Sequence, residues 1–318
     1  LRRTVLETIR RALEGDEVGA MIDFPNYGNV GDSAIYLGQL AALRAVNRLV
    51  PRFICDLKTY DREALKQRAG TGTILLTGGG NFGDLWPEVQ RVREDILEHF
   101  PGNRVIQLPQ TINFQSAEAL ERARAVVRGH PDFTLLVRDR PSLAVAREHF
   151  GPRSYLCPDM AFCLNGLRPV GRPDRDIVWL ARTDSEKRDP GNEAAQPTAD
   201  WIDDTPGTLL HVNRSLSRGL RRTSGPLHRW ALRATYTPLA RQRLRRGIRL
   251  VSRGRVVVTD RLHGHVLCLL LGIPHVVLDD RFGKISNFRA VWTREADGVE
   301  WARSPDEAMG IARALVNR

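Results

Sequence analysis

The stretch VVVTDRLHGHVLCLLLGIPHVVLD, residues 256–279, sets the fold class and places the candidate chemistry. Val256, Val257, Val258 and Thr259 are β-branched and mostly apolar, the pattern of a strand buried in a parallel sheet. Asp260, Arg261, Leu262 and His263 follow at its carboxyl end. Gly264 opens a second apolar run, Val266–Leu271, which Gly272 and Pro274 stop as they stop a helix. His275–Leu278 then reads as the next strand. Ligands of open α/β sheets bind at the carboxyl ends of strands, so Asp260, Arg261 and His263 stand where chemistry is expected. An arginine that keeps its charge and a histidine that titrates near neutrality suit an anionic substrate that must be protonated.

Working outward, the same rhythm fills the chain. Val18–Phe24, Thr73–Thr77, Arg104–Leu108 and Phe133–Val137 read as strands, and the helices expected between them are Ser33–Leu49, Glu88–Phe100, Ser116–Gly129 and Ser142–Phe150. Ser116 is the expected N-cap of its helix. The Pro- and Gly-containing run Leu167–Pro173 reads as a linker, which predicts domains at 1–168 and 169–318. The second half continues with strands at Ile177–Leu180 and Thr208–Val212, and a basic helix at about Trp230–Arg246, kinked or interrupted at Pro238. A helix with Pro305 at its first position closes the chain. The predicted architecture is α/β, with two Rossmann-like domains facing across a cleft.

Composition narrows the class. At 318 residues and 42% hydrophobic, the chain is long enough for two cores and is not of disordered type. No apolar run approaches the roughly 18–20 residues of a bilayer span. Residues 1–15 form an amphipathic helical pattern without a secretory apolar core. Cys55, Cys157, Cys163 and Cys268 show no C-x-x-C spacing and read as buried thiols. A soluble, cytoplasmic protein is expected. The net charge of +11 is uneven: Arg214–Arg255 carries thirteen arginines and no acidic residue. Such a segment attracts anions, and no nucleic-acid-binding motif accompanies it. The expectation is a diphosphate-linked ligand or a peripheral membrane contact through residues 214–255, with no nucleic acid.

Three further segments carry candidate residues. In DFPNYGNVGDSAIY, residues 23–36, Gly28 and Gly31 permit tight turns and Asp32 or Ser33 can cap a helix, while Asn29, Gly31 and Asp32 are positioned for a ligand. TGGGNFGD, residues 77–84, contains a literal G-x-G-x-x-G at Gly78, Gly80 and Gly83. A dinucleotide site would need an acidic residue at the end of the next strand, and that strand ends in Gln107-Leu108-Pro109-Gln110. Gly79, Gly80 and Asn81 read instead as a backbone turn that approaches substrate. Arg138 and Arg140 follow another strand and form either a surface ion-pair group with Asp139 or an anion clamp. His265 and His275, in apolar surroundings, read as core histidines, and no histidine spacing predicts a metal site.

Taken together, GNVGDSA (28–34), TGGGNFGD (77–84), VRDRPS (137–142) and TDRLHGH (259–265) resemble the polysaccharide pyruvyl transferase family, in order and spacing, from about residue 18 to 290. The resemblance implies a GT-B-like fold and transfer of an enolpyruvyl unit from phosphoenolpyruvate to a sugar, giving a pyruvate ketal and inorganic phosphate. It implies no cofactor beyond phosphoenolpyruvate as co-substrate. It maps Arg261, Leu262 and His263 onto the donor-binding segment and Arg138 or Arg140 onto a second donor contact. His263 is then the expected general acid and Asp32 the group that orients or deprotonates the acceptor hydroxyl. The alternative on the same fold is a glycosyltransferase using a nucleotide-sugar donor, which would usually show a ribose-binding Glu that 256–278 lacks.

Overall fold

Seven strands of the N-terminal half form one sheet in the computed structural model, which describes residues 1–47, 50–188, 198–220 and 226–317. They are β1 (Val18–Ile22), β2 (Phe53–Cys55), β3 (Thr73–Leu76), β4 (Gly79–Gly83), β5 (Val105–Asn113), β6 (Phe133–Val137) and β7 (Ser154–Leu156). The order is β2-β1-β3-β5-β6-β7, with β4 also pairing β5, and each pairing is parallel. Helices pack against the sheet through an apolar core that includes Ile22, Leu76, Val105 and Leu135 with Ile96, Leu97 and Val127. Each such side chain contributes roughly 1.5–3 kcal/mol by leaving water.

Five strands form the second sheet: β8 (Arg175–Leu180), β9 (Thr198–Ala199), β10 (Gly254–Thr259), β11 (His275–Val277) and β12 (Val299–Trp301). Their order is β12-β11-β10-β8-β9, again parallel throughout. Val256, Val258, Val276 and Leu278 pack there against Ala308 and Ala312 of the closing helix Pro305–Val316, whose Ser304 side chain accepts from the Glu307 N–H. In both sheets the strand order reverses beside the first strand, between β1 and β3 and between β8 and β10. Such reversals open a crevice at the carboxyl ends of the strands.

The two sheets lie in sequence on either side of the Leu167–Pro173 run. The compact units themselves exchange segments. One comprises 1–26, 35–163 and 206–239, the other 27–34, 164–205 and 240–318.

Several local expectations are corrected. Thr208–Val212 begins the helix Thr208–Leu220 instead of forming a strand. Five residues cannot separate the two periods, whereas buried Leu210 and Asn213 and half-buried Leu216 and Ser217 keep a spacing of three to four. The first long helix starts at Val30, not Ser33, and Leu49, its expected end, lies outside the described residues. Pro238 sits within an unbroken helix, Pro226–Val251. The glycine turn at 77–84 is largely strand β4. A Cβ on Gly83, at φ 143°, would stand 1.7 Å from the Asn113 carbonyl oxygen, and one on Gly78 2.8 Å from that of Pro109. These glycines let backbone lie against β5.

Candidate functional site

In the second unit, Leu180 and Thr259 are register partners, as are Thr259 and Val277. Three neighbouring strand ends therefore release Arg182, Asp260–Arg261 and Asp280 side by side. Arg261 is the N-cap residue of the helix Leu262–Leu271, with its own N–H bonded to Thr259 Oγ1 at 3.0 Å. Its guanidinium is buried and forked onto Asp200, Nε to Oδ1 and Nη2 to Oδ2 at 2.6 Å each, and Nη2 also reaches Asp184 Oδ2 at 3.1 Å. Arg182 bonds the same Asp184 at 2.9 and 3.1 Å and pairs with Glu186. Glu186 in turn accepts from buried Lys284 Nζ at 2.5 Å.

The local field is thus mixed. Burial alone would raise the Asp184 carboxyl, but its hydrogen bond and attraction to Arg182, with Arg261, carry it below the ordinary carboxylate range. At Asp260 burial wins instead: it raises the carboxyl to about 6 against the Arg182 N–H bond at 2.8 Å and the attraction of Arg182 and Arg261. Asp184, Glu186, Asp200 and Lys284 were not among the residues expected from the sequence. They lie 20 to 80 positions from Arg261, so no local pattern joins them.

His263 occupies the first turn of the same helix, after buried Leu262. Its imidazole rests on Gly31, in the first turn of the helix that starts at Val30. A Cβ on Gly31 would stand 2.6 Å from His263 Nδ1, so only glycine leaves the ring its place. Gly28 is equally constrained, with the Ile202 carbonyl oxygen 2.2 Å from its ideal Cβ position. The capping role expected of Asp32 or Ser33 falls to Asn29: its Oδ1 accepts from the Gly31 N–H at 3.0 Å and its Nδ2 donates to Asp32 Oδ2 at 2.8 Å. Asp32 is half-buried in the first helical turn, held by Asn29.

In the first unit, Arg138 and Arg140 separate sharply. Arg138 is buried, donating from Nε to Thr111 Oγ1 at 2.9 Å and from Nη1 to Asp159 Oδ2 at 2.7 Å. Asp139 is buried too and accepts from the Ser142 N–H at 2.8 Å as the cap of the helix that Arg140 begins, so of the two alternatives a surface pair of Arg138 with Asp139 is not what these buried residues make. Arg140 is exposed and makes no ion pair among the described residues. Gly79 is buried, while Gly80 and Asn81 are half-buried.

The arginine-rich segment is partly structural. Arg243 is buried and forked onto Asp204 at 2.7 and 2.7 Å, Arg246 donates to the carbonyls of Gly28 and Trp201, and Arg253 pairs with Asp174 at 2.8 Å. Arg214, Arg218, Arg241, Arg245 and Arg249 remain exposed, and Arg221 and Arg222 lie outside the described residues. The four cysteines are buried free thiols. His265 and His275 are core residues, as expected, and bond to each other at 2.8 Å. Among the described residues, no group of three or more His, Cys, Asp and Glu is arranged to hold a metal ion, and no helix is long and apolar enough to cross a membrane.

Parallel Rossmann-type sheets, one of them carrying an interlocked group of arginines and carboxylates at its reversal of strand order, define an α/β protein. The chain belongs to the polysaccharide pyruvyl transferase family, whose model matches residues 29–280. It is 30% identical to pyruvyl transferase 1 of Schizosaccharomyces pombe, over 92% of this chain and 74% of that protein. It is also 30% identical to the putative pyruvyl transferase EpsO of Bacillus subtilis, over 85% of this chain and 84% of the relative. A solved structure of a functionally uncharacterized Klebsiella pneumoniae protein superposes with a TM-score of 0.59 at 19% identity, covering 94% of this chain and 97% of that one, a likeness of fold.

Proposed function

We infer that the protein moves the enolpyruvyl unit of phosphoenolpyruvate onto a sugar of a polysaccharide or glycan precursor, closing a pyruvate ketal and releasing phosphate. The observation that carries the reading is the pair Arg261–His263 at the end of β10, inside the family match, with Gly31 shaped around the imidazole. The donor brings a carboxylate and a phosphate, which bidentate guanidinium edges recognise. Arg261 holds the donor once Asp200 yields its Nε–Nη2 edge, and exposed Arg140 supplies the second donor contact in preference to ion-paired Arg138.

His263, protonated, delivers its proton to the donor methylene carbon, which leaves an oxocarbenium-like centre at the adjacent carbon. One acceptor hydroxyl attacks that carbon and loses its proton; the second displaces phosphate as the ketal closes. Asp32, oriented by Asn29, assists the acceptor hydroxyl. Arginine beside the departing phosphate stabilises the charge that develops there. The reading uses phosphoenolpyruvate as co-substrate and asks for no metal or organic cofactor. The exposed arginines of 214–255 serve a nucleotide- or lipid-diphosphate carried by the acceptor, or an anionic membrane surface at the cytoplasmic face.

The test is phosphate release from phosphoenolpyruvate with a panel of sugar acceptors. Wild type should release phosphate only with an acceptor, and His263→Ala should lose about 10²–10⁴ of that rate while keeping its fold. Near-normal turnover by His263→Ala would remove the assignment of His263. Nucleoside diphosphate release from a nucleotide sugar, with phosphoenolpyruvate inert, would remove pyruvyl transfer.

A further inference from the structure

The first unit buries a guanidinium that forms no salt bridge among the described residues. Arg93, on the helix Pro87–His99, is 3% exposed and makes no ion pair among the described residues. Amide oxygens hold it instead. Nε donates to Gln107 Oε1 at 2.8 Å, Nη1 to Gln90 Oε1, and Nη2 to Asn81 Oδ1 at 3.1 Å, with the Phe82 ring 4.3 Å beneath. Burial lowers its pKa to about 10, with Asp23 and Glu94 opposing only through space, so the group stays charged at neutral pH. A charge buried without its counterion is costly and normally paired. Here it lies beside Gln107 of β5, the register partner of Leu76 at the carboxyl end of β3, next to the reversal of strand order between β1 and β3.

The amides around it have only one consistent orientation. Gln110 accepts from the Asn81 backbone N–H at 3.0 Å and donates to the Thr77 carbonyl at 3.0 Å, and these two backbone groups fix which end of its amide is which. Its Nε2 then donates to Asn81 Oδ1 at 2.6 Å, where Arg93, a donor only, also arrives. Asn81 Oδ1 is therefore turned inward by two donors. The opposite end of the amide, Nδ2, has no partner among the described residues, and Asn81 is half-buried, not sealed.

We propose that Asn81, locked by Arg93 and Gln110, is the donor of an anion subsite that binds a phosphate-bearing group of the substrates. Arg93 is its positioning residue: it sets the amide and supplies positive charge behind it. The phosphate can belong to the enolpyruvyl donor or to a diphosphate on the acceptor, and its place in catalysis rests on the pyruvyl-transfer reading. The anion site itself does not.

Asn81→Asp gives the test. A carboxylate here pairs with Arg93 and fills the inward position, while its outward oxygen repels an anion. Binding of phosphoenolpyruvate, pyrophosphate and inorganic phosphate is measured by calorimetry for wild type and variant, with thermal unfolding alongside. Asn81→Asp should raise the melting temperature and weaken at least one probe about tenfold or more, the scale of one charge-assisted hydrogen bond. Higher stability with lower affinity cannot arise from damage to the fold. Loss confined to phosphoenolpyruvate assigns the subsite to the donor; loss confined to pyrophosphate assigns it to the acceptor. Arg93→Lys keeps a charge but cannot reach three amides, and should weaken the same probe several-fold.

Unchanged affinity for all three probes in Asn81→Asp, or no binding of any by wild type, would overturn the subsite. Should the probes bind as expected while phosphoenolpyruvate never yields acceptor-dependent phosphate, pyruvyl transfer fails and the anion subsite stands.

Discussion

The buried histidine pair makes the fold acid-labile in a measurable way. His275 Nδ1 lies 2.9 Å from the Ile273 carbonyl, which can only accept, so that nitrogen carries the ring proton. His275 Nε2 then accepts from His265 Nδ1 at 2.8 Å, and His265 Nε2 accepts from Thr293 Oγ1 at 2.8 Å. The chain of donors works only with both rings neutral. Burial, then the neighbouring His275 and Arg289, drives His265 down to about 3, and burial drives His275 to about 4 against its bond to Ile273. Both folded values lie below the unfolded value of 6.5, so the native state is fully favoured above pH 6.5 and loses stability as pH falls from there toward 4. At pH 5 each ring forgoes about 1.5 units, or ~2 kcal/mol, and the pair ~4 kcal/mol. Asp260 works the other way: with its carboxyl raised to about 6, the native state regains ~1.4 kcal/mol between pH 7.5 and 5. The net loss is ~2–3 kcal/mol. Urea unfolding of wild type and His275→Gln at the two pH values measures it. Wild type should lose that amount, whereas the variant, weaker at pH 7.5, keeps only the His265 loss of ~2 kcal/mol against the Asp260 gain of ~1.4 and should lose ~0.6 kcal/mol, about a quarter as much. An equal loss in both proteins would refute the reasoning.

Two further outcomes follow from packing. Gly31→Ala places a methyl 2.6 Å from His263 Nδ1 and displaces the imidazole; kcat should fall about 10²-fold with little change in thermal stability, and an unaltered kcat would contradict the role of that contact. Arg138→Ala strands the buried Asp159 carboxylate and should cost ~3–5 kcal/mol in chemical unfolding. Arg140→Ala, on the surface, should change stability by less than ~0.5 kcal/mol while raising the donor KM. Equal stability losses in the two variants would overturn the division of labour between these arginines.

The sheet framework was legible because its strands are apolar runs closed by polar turns. Val256–Thr259, Thr73–Leu76 and Phe133–Val137 all fall in strands where their β-branched or apolar residues place them. Thr208–Val212 was not, since five residues fit either period and the helical spacing emerges only downstream. Residues at strand ends were legible as candidates, but their partners were not. Asp200 and Asp184 meet Arg261 through folding alone, and Arg138 meets Asp159 in the same way. One signal was present in the sequence: Gln107 and Gln110 stand where a dinucleotide site would carry an acid, and those two amides organise Arg93 and Asn81.

The exchange of segments between the compact units changes what a fragment of this chain means. A piece starting at residue 169 contains β8–β12, Arg261 and His263, yet it lacks Tyr27–Ala34, the turn and helix start whose Gly31 shapes the imidazole's surroundings. A piece ending at residue 168 lacks Pro206–Leu239, including the Tyr236 ring stacked 4.0 Å from Phe24. Changes in codons 27–34 therefore reach the surroundings of His263 directly. Recombination within residues 167–173 would leave each compact unit assembled from segments of two different parents.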